Sequence, residues 1–332
     1  MSVDKLDLML MRELEDDARQ PVRALATKLG VKRTTARYRL NRLMAERTLT
    51  IACVSDTDFL GYQFPLLIGI NVSPGKAGTV ADQLVPLPAV KVVFLSVGRY
   101  DILVWALLRD RSALAHFVSE NLSSIADITA IEMMHPYHWI KESWTYFKPQ
   151  TESVRRWRWP QDKPTDLDLS IVKAMQLDPR QTITKLAGTV GCSTSVAKTR
   201  LEKLLHDGII SFVSLIRPTA LGYNTGAIIL IKAKPDKVDA VANELSVQDT
   251  ARLLSLITGR WQIHFGAQFR DTTHMYDFLS EKLTSIPGII GYEVIPIRDT
   301  LKYSVSFTSP PVVLKYSKQG EAENDLSRGL TA

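Results

Sequence analysis

Basic side chains are concentrated in one short segment near the start of this 332-residue chain. Residues 18–50 hold nine Lys and Arg side chains against one acidic side chain, a net charge of +8, whereas the whole chain carries +6. A second window, 179–211, holds five basic against two acidic side chains, a net charge of +3. Such runs are often only solvated surface, but this concentration in a helical segment favours a polyanionic partner.

The most informative chemistry lies in a predicted helix that runs from Lys32 to about Glu46. Its apolar residues Ala36, Leu40 and Leu43 span only about 60° of the helix, at roughly 100° per residue. On the opposite face, arginine can bind guanine edges bidentately, asparagine can pair with adenine, and threonine is permissive. We therefore predict a surface that contacts base edges in the major groove of double-stranded DNA. The side chains of this outer face are Arg33, Thr34, Arg37, Tyr38 and Asn41.

Basic residues beside this face have different predicted roles. Lys32 and Arg42 are better placed for phosphate groups, which position a protein on DNA without specifying the sequence. Arg39 lies at the edge of the apolar stripe, so we expect it to pack its stem and bond a neighbouring helix.

Two shorter helices are expected to position the basic helix. Leucines recur at i+4 from Leu6 to Leu14, and Asp4 can serve as the N-cap of that helix. A second helix is predicted from Val22 to Leu29, and Gly30 ends it because glycine accepts a positive φ. A helix, a short turn with glycine and a helix with a basic outer face are typical of a helix-turn-helix.

The chain repeats itself at a constant offset of 161 residues, without a gap, from residue 6 to residue 132. This period is far longer than the roughly 20–50 residues of solenoid repeats and is the size of a whole subunit. We therefore predict two copies of one unit, covalently joined where other proteins would form a dimer. Aligned segments include Leu6-Asp7-Leu8 with Leu167-Asp168-Leu169, Leu60-Gly61-Tyr62 with Leu221-Gly222-Tyr223, and Gly98-Arg99 with Gly259-Arg260.

Copy two has the same helix-turn-helix pattern with less positive charge. Asp207-Gly208 closes its third helix, whereas copy one has Arg47 in place of Gly208. Arg47 would be strained if that position needs the same positive φ. We hypothesise that copy one supplies most of the DNA affinity. The candidate DNA contacts of copy two, on the outer face or at the start of the helix, are Ser193, Thr194, Ser195, Lys198 and Thr199.

The rest of each unit is predicted to be a small α+β domain with the order β-α-β-β-α-β, the ferredoxin-like motif. Such a sheet carries helices on one face only, so its other face needs a partner, which could be the sheet of the other copy. The predicted elements of copy one are 64–72, 76–84, 90–97, 102–108, 112–124 and 128–138. Those of copy two are 227–233, 237–245, 252–258, 262–269, 273–285 and 289–305.

These patterns predict six segments. The expected boundaries are 1–52 and 166–213 for the two winged-type helix-turn-helix domains, 53–147 and 214–308 for the two α+β domains, 148–165 for a linker and 309–332 for a tail. We expect the α+β domains to mediate self-association, within one chain or between chains.

Each half resembles the Lrp/AsnC family of transcriptional regulators, over about 6–147 and 167–308. The resemblance rests on the Leu-Asp start of the helix-turn-helix, the Leu60-Gly61-Tyr62 junction and the turn Gly98-Arg99-Tyr100-Asp101. In that family the α+β domain binds amino acids or similar small effectors between subunits, and a Gly-x-Tyr-Asp turn contributes to the site.

The resemblance therefore implies effector contacts from Gly98, Arg99, Tyr100 and Asp101. In copy two the turn has Trp and Gln in place of Tyr and Asp, so only Gly259 and Arg260 match the motif. The alternative for this turn is purely structural, with glycine for a tight hairpin and an aromatic residue for packing. If an effector binds, DNA affinity is expected to shift by the coupling free energy.

Other chemistry receives little support from the sequence. Cys53 and Cys192 are the only cysteines and occupy unrelated places in the repeat, so we expect no disulfide framework and no metal site. His135 and His138 would point to opposite faces of a strand. No nucleophile–base set or phosphate loop is present, so we expect no cofactor and no catalytic residue. We expect a cytoplasmic protein with no membrane partner.

Two other function classes stay open at this point. Sirohaem decarboxylases have a similar fold and occur as paired or fused copies. Their chemistry resembles a site with a histidine near the central turn, whereas the central turn of copy one has Arg99 and no histidine. The chain could also be a protein-interaction module that has lost DNA binding. Adding a tetrapyrrole and recording a spectrum would identify the enzyme, and steeply salt-dependent DNA binding would identify the regulator.

Overall fold

The computed structural model describes residues 3–148 and 164–304. The expected tail at 309–332 and nearly all of the expected linker lie outside the described residues.

The helix-turn-helix and the α+β domain of copy one follow each other as the sequence predicted. A π-helical segment, Phe117–Leu122, continues α5. In chain order the elements are α1 (Lys5–Asp16), α2 (Val22–Lys28), α3 (Arg33–Ala45), β1 (Leu49–Ser55), β2 (Phe64–Val72), α4 (Ala77–Leu84), β3 (Val90–Ser96), β4 (Ile102–Leu108), α5 (Arg111–His116), β5 (Ile128–Met134) and β6 (Pro136–Glu142).

Copy two repeats this order, and its α10 is likewise continued by a π-helical segment, Phe278–Leu283. Its elements are α6 (Asp166–Leu177), α7 (Ile183–Val190), α8 (Thr194–His206), β7 (Ile210–Ile216), β8 (Thr225–Ala233), α9 (Val238–Ser246), β9 (Ala251–Ile257), β10 (Ile263–Phe269), α10 (Thr272–Asp277) and β11 (Ile289–Tyr303). The predicted order β-α-β-β-α-β is confirmed in both copies.

Local backbone chemistry explains where the helices begin and end. Asp4 caps α1 by accepting a hydrogen bond from the backbone N–H of Asp7, whose side chain bonds Asp4 in return. Gly30 has φ +65° between α2 and α3, as its place in the motif predicted. Arg47 has φ 52°, where Gly208 of copy two has φ 71°, so copy one does hold a non-glycine residue in this strained region.

A two-stranded ribbon joins the helix-turn-helix domains of the two copies, and the sequence analysis did not predict it. The strand β1 pairs with β7 in antiparallel register, from Leu49 opposite Ile216 to Ser55 opposite Ile210. The boundary expected between residues 52 and 53 falls inside β1. The ribbon therefore belongs to both copies and holds the two helix-turn-helix domains together.

Each α+β domain has its own sheet, and the sheets of the two copies are joined edge to edge into one continuous order of nine strands, β5-β2-β4-β3-β11-β8-β10-β9-β6. Each copy adds its last strand to the other copy. The first part of β11 pairs with β8 and its second part pairs with β3 of copy one.

The single strand expected over 128–138 is a wrong prediction, because it breaks at His135. Its first part, β5, pairs with β2 of the same copy, whereas β6 pairs with β9 of copy two. The residues after His135 thus leave β2 of their own copy and pair with copy two.

The second face of each sheet is covered by the other copy, within one chain. A buried apolar cluster contains Leu67, Val92, Tyr100, Leu103, Trp105 and Met134 from copy one and Ile228, Leu230, Ile257, Trp261 and Ile295 from copy two. Burial of this shared face stabilises the pairing, at roughly 25 cal/mol for each Å² of apolar surface removed from water.

Two buried lysines at equivalent positions of the repeat each donate hydrogen bonds to the other copy. Nζ of Lys141 donates to the backbone oxygen of Ser246 at the end of α9, at 2.6 Å. Nζ of Lys302 donates to the backbone oxygen of Val85, just after α4, at 2.7 Å. Burial lowers the pKa of each ammonium to about 8.

Candidate DNA-binding surface and effector turn

Helix α3 is held against α1 by an ion-pair network around a fully buried carboxylate. Asp7 has no exposed side-chain surface and accepts hydrogen bonds from both Arg39 and Arg42. Arg39 also donates to Asp4, at 2.6 Å. The structural role predicted for Arg39 is confirmed, but Arg42, expected to face phosphates, is turned toward the same buried acid.

The other predicted contacts of α3 form one exposed face. Tyr38 is 67% exposed and lies on this face. Arg33 and Arg37 make no ion pair with any residue that the structure describes. This face is therefore free to meet an external anion. Its exposed members are Lys32, Arg33, Thr34, Arg37, Tyr38 and Asn41.

Helix α8 presents the equivalent face with different chemistry. Ser193 is exposed but is also the N-cap, where its hydroxyl accepts from the backbone N–H of Val196 at 3.3 Å. Nζ of Lys198 lies 3.9 Å from a carboxylate oxygen of Glu202. Thr194, Ser195 and Thr199 are exposed. Copy two therefore offers hydroxyls and one partly neutralised cation where copy one offers free arginines.

Reciprocal arginines join the two helix-turn-helix domains beside the β1–β7 ribbon. Arg180 donates to the backbone oxygens of Ala18 and Gln20, at 2.7 and 2.9 Å. Arg19 donates to the backbone oxygen of Gln181, at 2.7 Å. Both arginines were counted in the basic windows, yet they serve the contact between the copies, and burial lowers the pKa of each.

The predicted effector turn of copy one is closed around a glutamate that the sequence analysis did not select. Tyr100 donates to Oε2 of Glu132 at 2.6 Å, and Arg99 donates to the same oxygen at 3.0 Å. Burial and the Glu132 carboxylate raise the pKa of Tyr100 to about 12. Burial also raises the pKa of Glu132, but the hydrogen bonds from Tyr100 and Arg99 outweigh it and leave the pKa below its ordinary value.

Glycines allow this turn to form. Gly98 has φ +106°, and Gly259 has φ +111° at the equivalent position. The ring of Tyr100 lies directly over Gly69, where an added Cβ would be 2.5 Å from ring carbons. Gly69 is therefore part of the site, although no sequence pattern singled it out.

Asp101 supports the backbone beside the turn. Its Oδ2 accepts from the backbone N–H of Val72 at 2.9 Å. In copy two, Oε1 of Gln262 accepts from the backbone N–H of Ala233 at 3.2 Å. Gln262 therefore replaces the structural hydrogen bond of the aspartate.

The copy-two turn lacks the phenol–carboxylate pair. Trp261 replaces Tyr100, and its buried indole nitrogen has no hydrogen-bond partner among the described residues. The cations of Arg260 and Lys232 lie 5.3 and 5.4 Å from the centre of its rings. The positive charge of Arg260 also helps to lower the pKa of Glu132 in copy one. The two turns thus differ, and the second influences the first.

A histidine lies buried between the two sheets, next to the copy-two turn. His264 has no exposed surface, packs edge-on against Trp105 at 5.1 Å, and its Nδ1 lies 3.5 Å from the hydroxyl of Ser255. Its Nε2 has no partner among the described residues. Burial lowers the pKa of His264 to about 3. Its counterpart in copy one is Leu103.

Metal and membrane features can be checked over residues 3–148 and 164–304. No three His, Cys, Asp or Glu side chains in these ranges gather in a way that could hold a metal ion. His135 stacks on Phe64, and its Nδ1 lies 2.9 Å from the backbone oxygen of Pro65. Within the same ranges, no helix has the length and apolar character needed to cross a membrane.

Comparison with known proteins matches both halves of the chain. The AsnC-type helix-turn-helix domain matches residues 3–44 and 165–205, and the Lrp/AsnC ligand binding domain matches residues 66–143 and 226–307. An uncharacterized HTH-type transcriptional regulator of Pyrococcus furiosus is 30% identical over 139 residues, which cover 42% of this chain and 94% of that protein. The HTH-type transcriptional regulator Ptr1 of Methanocaldococcus jannaschii is 25% identical over 40% of this chain and 89% of its own.

A solved structure with both halves is also similar. The siroheme decarboxylase NirDL aligns over 90% of this chain and 93% of its own, with a TM-score of 0.63 and 14% identity. At that identity the likeness concerns the fold alone.

Proposed function

Because the chain belongs to the Lrp/AsnC family and contains both family domains twice, we propose that it is a sequence-specific DNA-binding regulator of transcription whose α+β domains bind a small effector. The observation that carries the proposal is the exposed face of α3. Its arginines have no ion-pair partner among the described residues, whereas Arg39 and Arg42 of the same helix are held by a buried acid. The same helix therefore separates arginines that hold it in place from arginines that are available to a polyanion.

DNA selection tests this proposal directly. The full-length protein is incubated with a random pool of double-stranded DNA, and bound DNA is recovered over several rounds at two salt concentrations. An enriched motif with salt-dependent affinity is expected, because neutralised phosphates release counterions. Arg37→Ala should weaken binding to the selected DNA. Arg111→Ala is the matched control, because it removes an exposed arginine from α5 of the α+β domain. Absence of any enriched motif would contradict the proposal.

The proposed effector site is the copy-one turn, and an amino acid is the class of ligand that its charges favour. Arg99 and Glu132 offer one charge of each sign, 3.0 Å apart, with side chains 27% and 28% exposed. A zwitterion can exchange this ion pair for contacts with its own carboxylate and ammonium groups. Effector binding next to the strand shared by both copies would then shift DNA affinity by a coupling free energy.

Fluorescence anisotropy with the selected DNA tests the effector. Each amino acid is added in turn, and we expect at least one to change the DNA dissociation constant. Glu132→Gln should abolish this response, whereas Glu293→Gln, at the equivalent position of copy two, should retain it. An unchanged dissociation constant and unchanged thermal stability with every amino acid would refute an amino-acid effector.

The enzyme alternative is tested in the same preparation. The fold of this chain resembles that of a siroheme decarboxylase, but the arginines of α3 that make no ion pair with the described residues favour a regulator. A tetrapyrrole is added, and the absorption spectrum is compared with that of the free compound. A bound spectrum together with failure of the DNA selection would overturn our assignment.

A further inference from the structure

We infer that this chain recognises a non-palindromic DNA site, in which α3 and α8 contact two half-sites of different sequence. The inference rests on the proposed DNA-binding function and extends it to the symmetry of the target. It follows from how the two helices are held and from what each of them exposes.

The two DNA-binding domains form a single body with one α3 and one α8. The β1–β7 ribbon pairs them along seven residues of each strand. Arg19 and Arg180 add reciprocal hydrogen bonds from each domain to the backbone of the other. A homodimer presents two identical helices and is matched by a palindromic site. Here the pairing occurs within one chain, so the two helices are always different.

The supporting framework is nevertheless equivalent in the two copies. Leu40 and Leu201 are buried at the same position of the two helices, and Arg39 and Arg200 both approach an aspartate at the start of the domain. Corresponding positions on the outer faces therefore have corresponding places relative to DNA. Any difference between the half-sites must come from the exposed side chains themselves.

Those exposed side chains differ at every predicted contact position. Arg37 can bind guanine bidentately, whereas its counterpart Lys198 is a point charge that lies near Glu202. Asn41 suits adenine, whereas Glu202 can accept a hydrogen bond from cytosine. We therefore assign a guanine- and adenine-containing half-site to α3 and a different, cytosine-containing one to α8. The remaining equivalent pairs are Lys32 and Ser193, Arg33 and Thr194, Thr34 and Ser195, and Tyr38 and Thr199.

Exchange of one outer face for the other provides the test. A graft variant gives α8 the outer face of α3 through S193K, T194R, S195T, K198R, T199Y and E202N, all at exposed positions. The reverse graft gives α3 the outer face of α8 through K32S, R33T, T34S, R37K, Y38T and N41E. Each full-length protein is used for selection from a random DNA pool, and its thermal unfolding is compared with that of the wild type.

We expect the wild type to enrich two unlike half-sites, and each graft to enrich an inverted repeat of one of them. On defined DNA, the wild type should bind the mixed site about tenfold or more tightly than either inverted repeat, because mismatched base pairs weaken binding severalfold each. A palindrome enriched by the wild type, or an unchanged motif from folded grafts, would overturn this inference and leave DNA binding in place. Failure of all three proteins to enrich DNA would overturn the regulator itself.

Discussion

When His264 is replaced by leucine, the free energy of unfolding should fall less in acid than it does in the wild type. The imidazole is fully buried between the two sheets, and its Nε2 has no partner among the described residues. Burial lowers its pKa to about 3, from 6.5 in an exposed chain. Leucine is the natural replacement, because Leu103 occupies the equivalent buried position in copy one.

The sign of the effect follows from proton linkage. Below pH 6.5 the unfolded chain binds a proton at His264 that the folded protein does not bind, so the free energy of unfolding falls as the pH falls toward 3. With these two pKa values, the wild type loses about 2 kcal/mol between pH 7 and pH 5 through this residue alone. The loss reaches about 4 kcal/mol at pH 3 and about 5 kcal/mol well below that pH, at 1.36 kcal/mol for each pKa unit.

Urea unfolding of both proteins at pH 7 and pH 5 measures this difference. The leucine substitution can change the free energy of unfolding at pH 7 through packing alone. The diagnostic quantity is therefore the free energy of unfolding that each protein loses between pH 7 and pH 5. We expect the wild type to lose about 2 kcal/mol more than the variant. His138→Gln, which removes an exposed imidazole that makes no ion pair with the described residues, is the control and should change the difference far less. An equal loss of stability in wild type and His264→Leu would refute the reasoning.

Three further predictions follow from the same structure. Arg37→Ala should weaken DNA binding by about 1–3 kcal/mol and Lys198→Ala by less, measured by anisotropy on selected DNA; equal losses would contradict the hypothesis that copy one supplies most of the affinity. Burial lowers the pKa of Lys302 to about 8, from 10.5 in an exposed chain. Because the folded protein releases this proton at a lower pH than the unfolded chain, the free energy of unfolding of the wild type should rise between pH 7 and pH 10. In urea titrations we expect a gain of roughly 2 kcal/mol relative to Lys302→Met. No relative gain would show that this ammonium is not desolvated. Tyr100→Phe removes the hydrogen bond to Glu132 and should lower the free energy of unfolding by about 1 kcal/mol. An unaltered urea midpoint would mean that the phenol contributes nothing to the turn.

The elements that the sequence predicted well are those whose signals are local. The buried stripe Ala36, Leu40 and Leu43 and the capping residue Asp4 each report on neighbours within a few turns of one helix. The repeat required only a comparison of the chain with itself. It also offered the other copy as one partner for the second sheet face, within one chain or between chains, because a sheet with one bare apolar face must bury it.

The difference between local and distant signals also explains which residues of the candidate sites were predicted. The outer face of α3 follows from helical periodicity, so all six of its exposed residues could be named in advance. The phosphate-facing position predicted for Arg42 was wrong, because periodicity cannot show that Arg42 forms an ion pair with the buried Asp7 of α1. Glu132 and Gly69 were missed for the same reason, since they reach Tyr100 only through strands that are far away in sequence.

By itself, the sequence determined that the chain contains two unequal copies of one unit, each with a helix-turn-helix and an α+β domain. Only the tertiary structure decided how the copies are joined: the β1–β7 ribbon, the exchanged last strands, and the buried ammonium groups of Lys141 and Lys302. The physical reason is that periodicity records which face of an element is buried, whereas strand partners and buried charges depend on contacts between distant residues. Amphipathic lysine stems look the same in sequence whether their ammonium groups meet water or the end of another copy's helix.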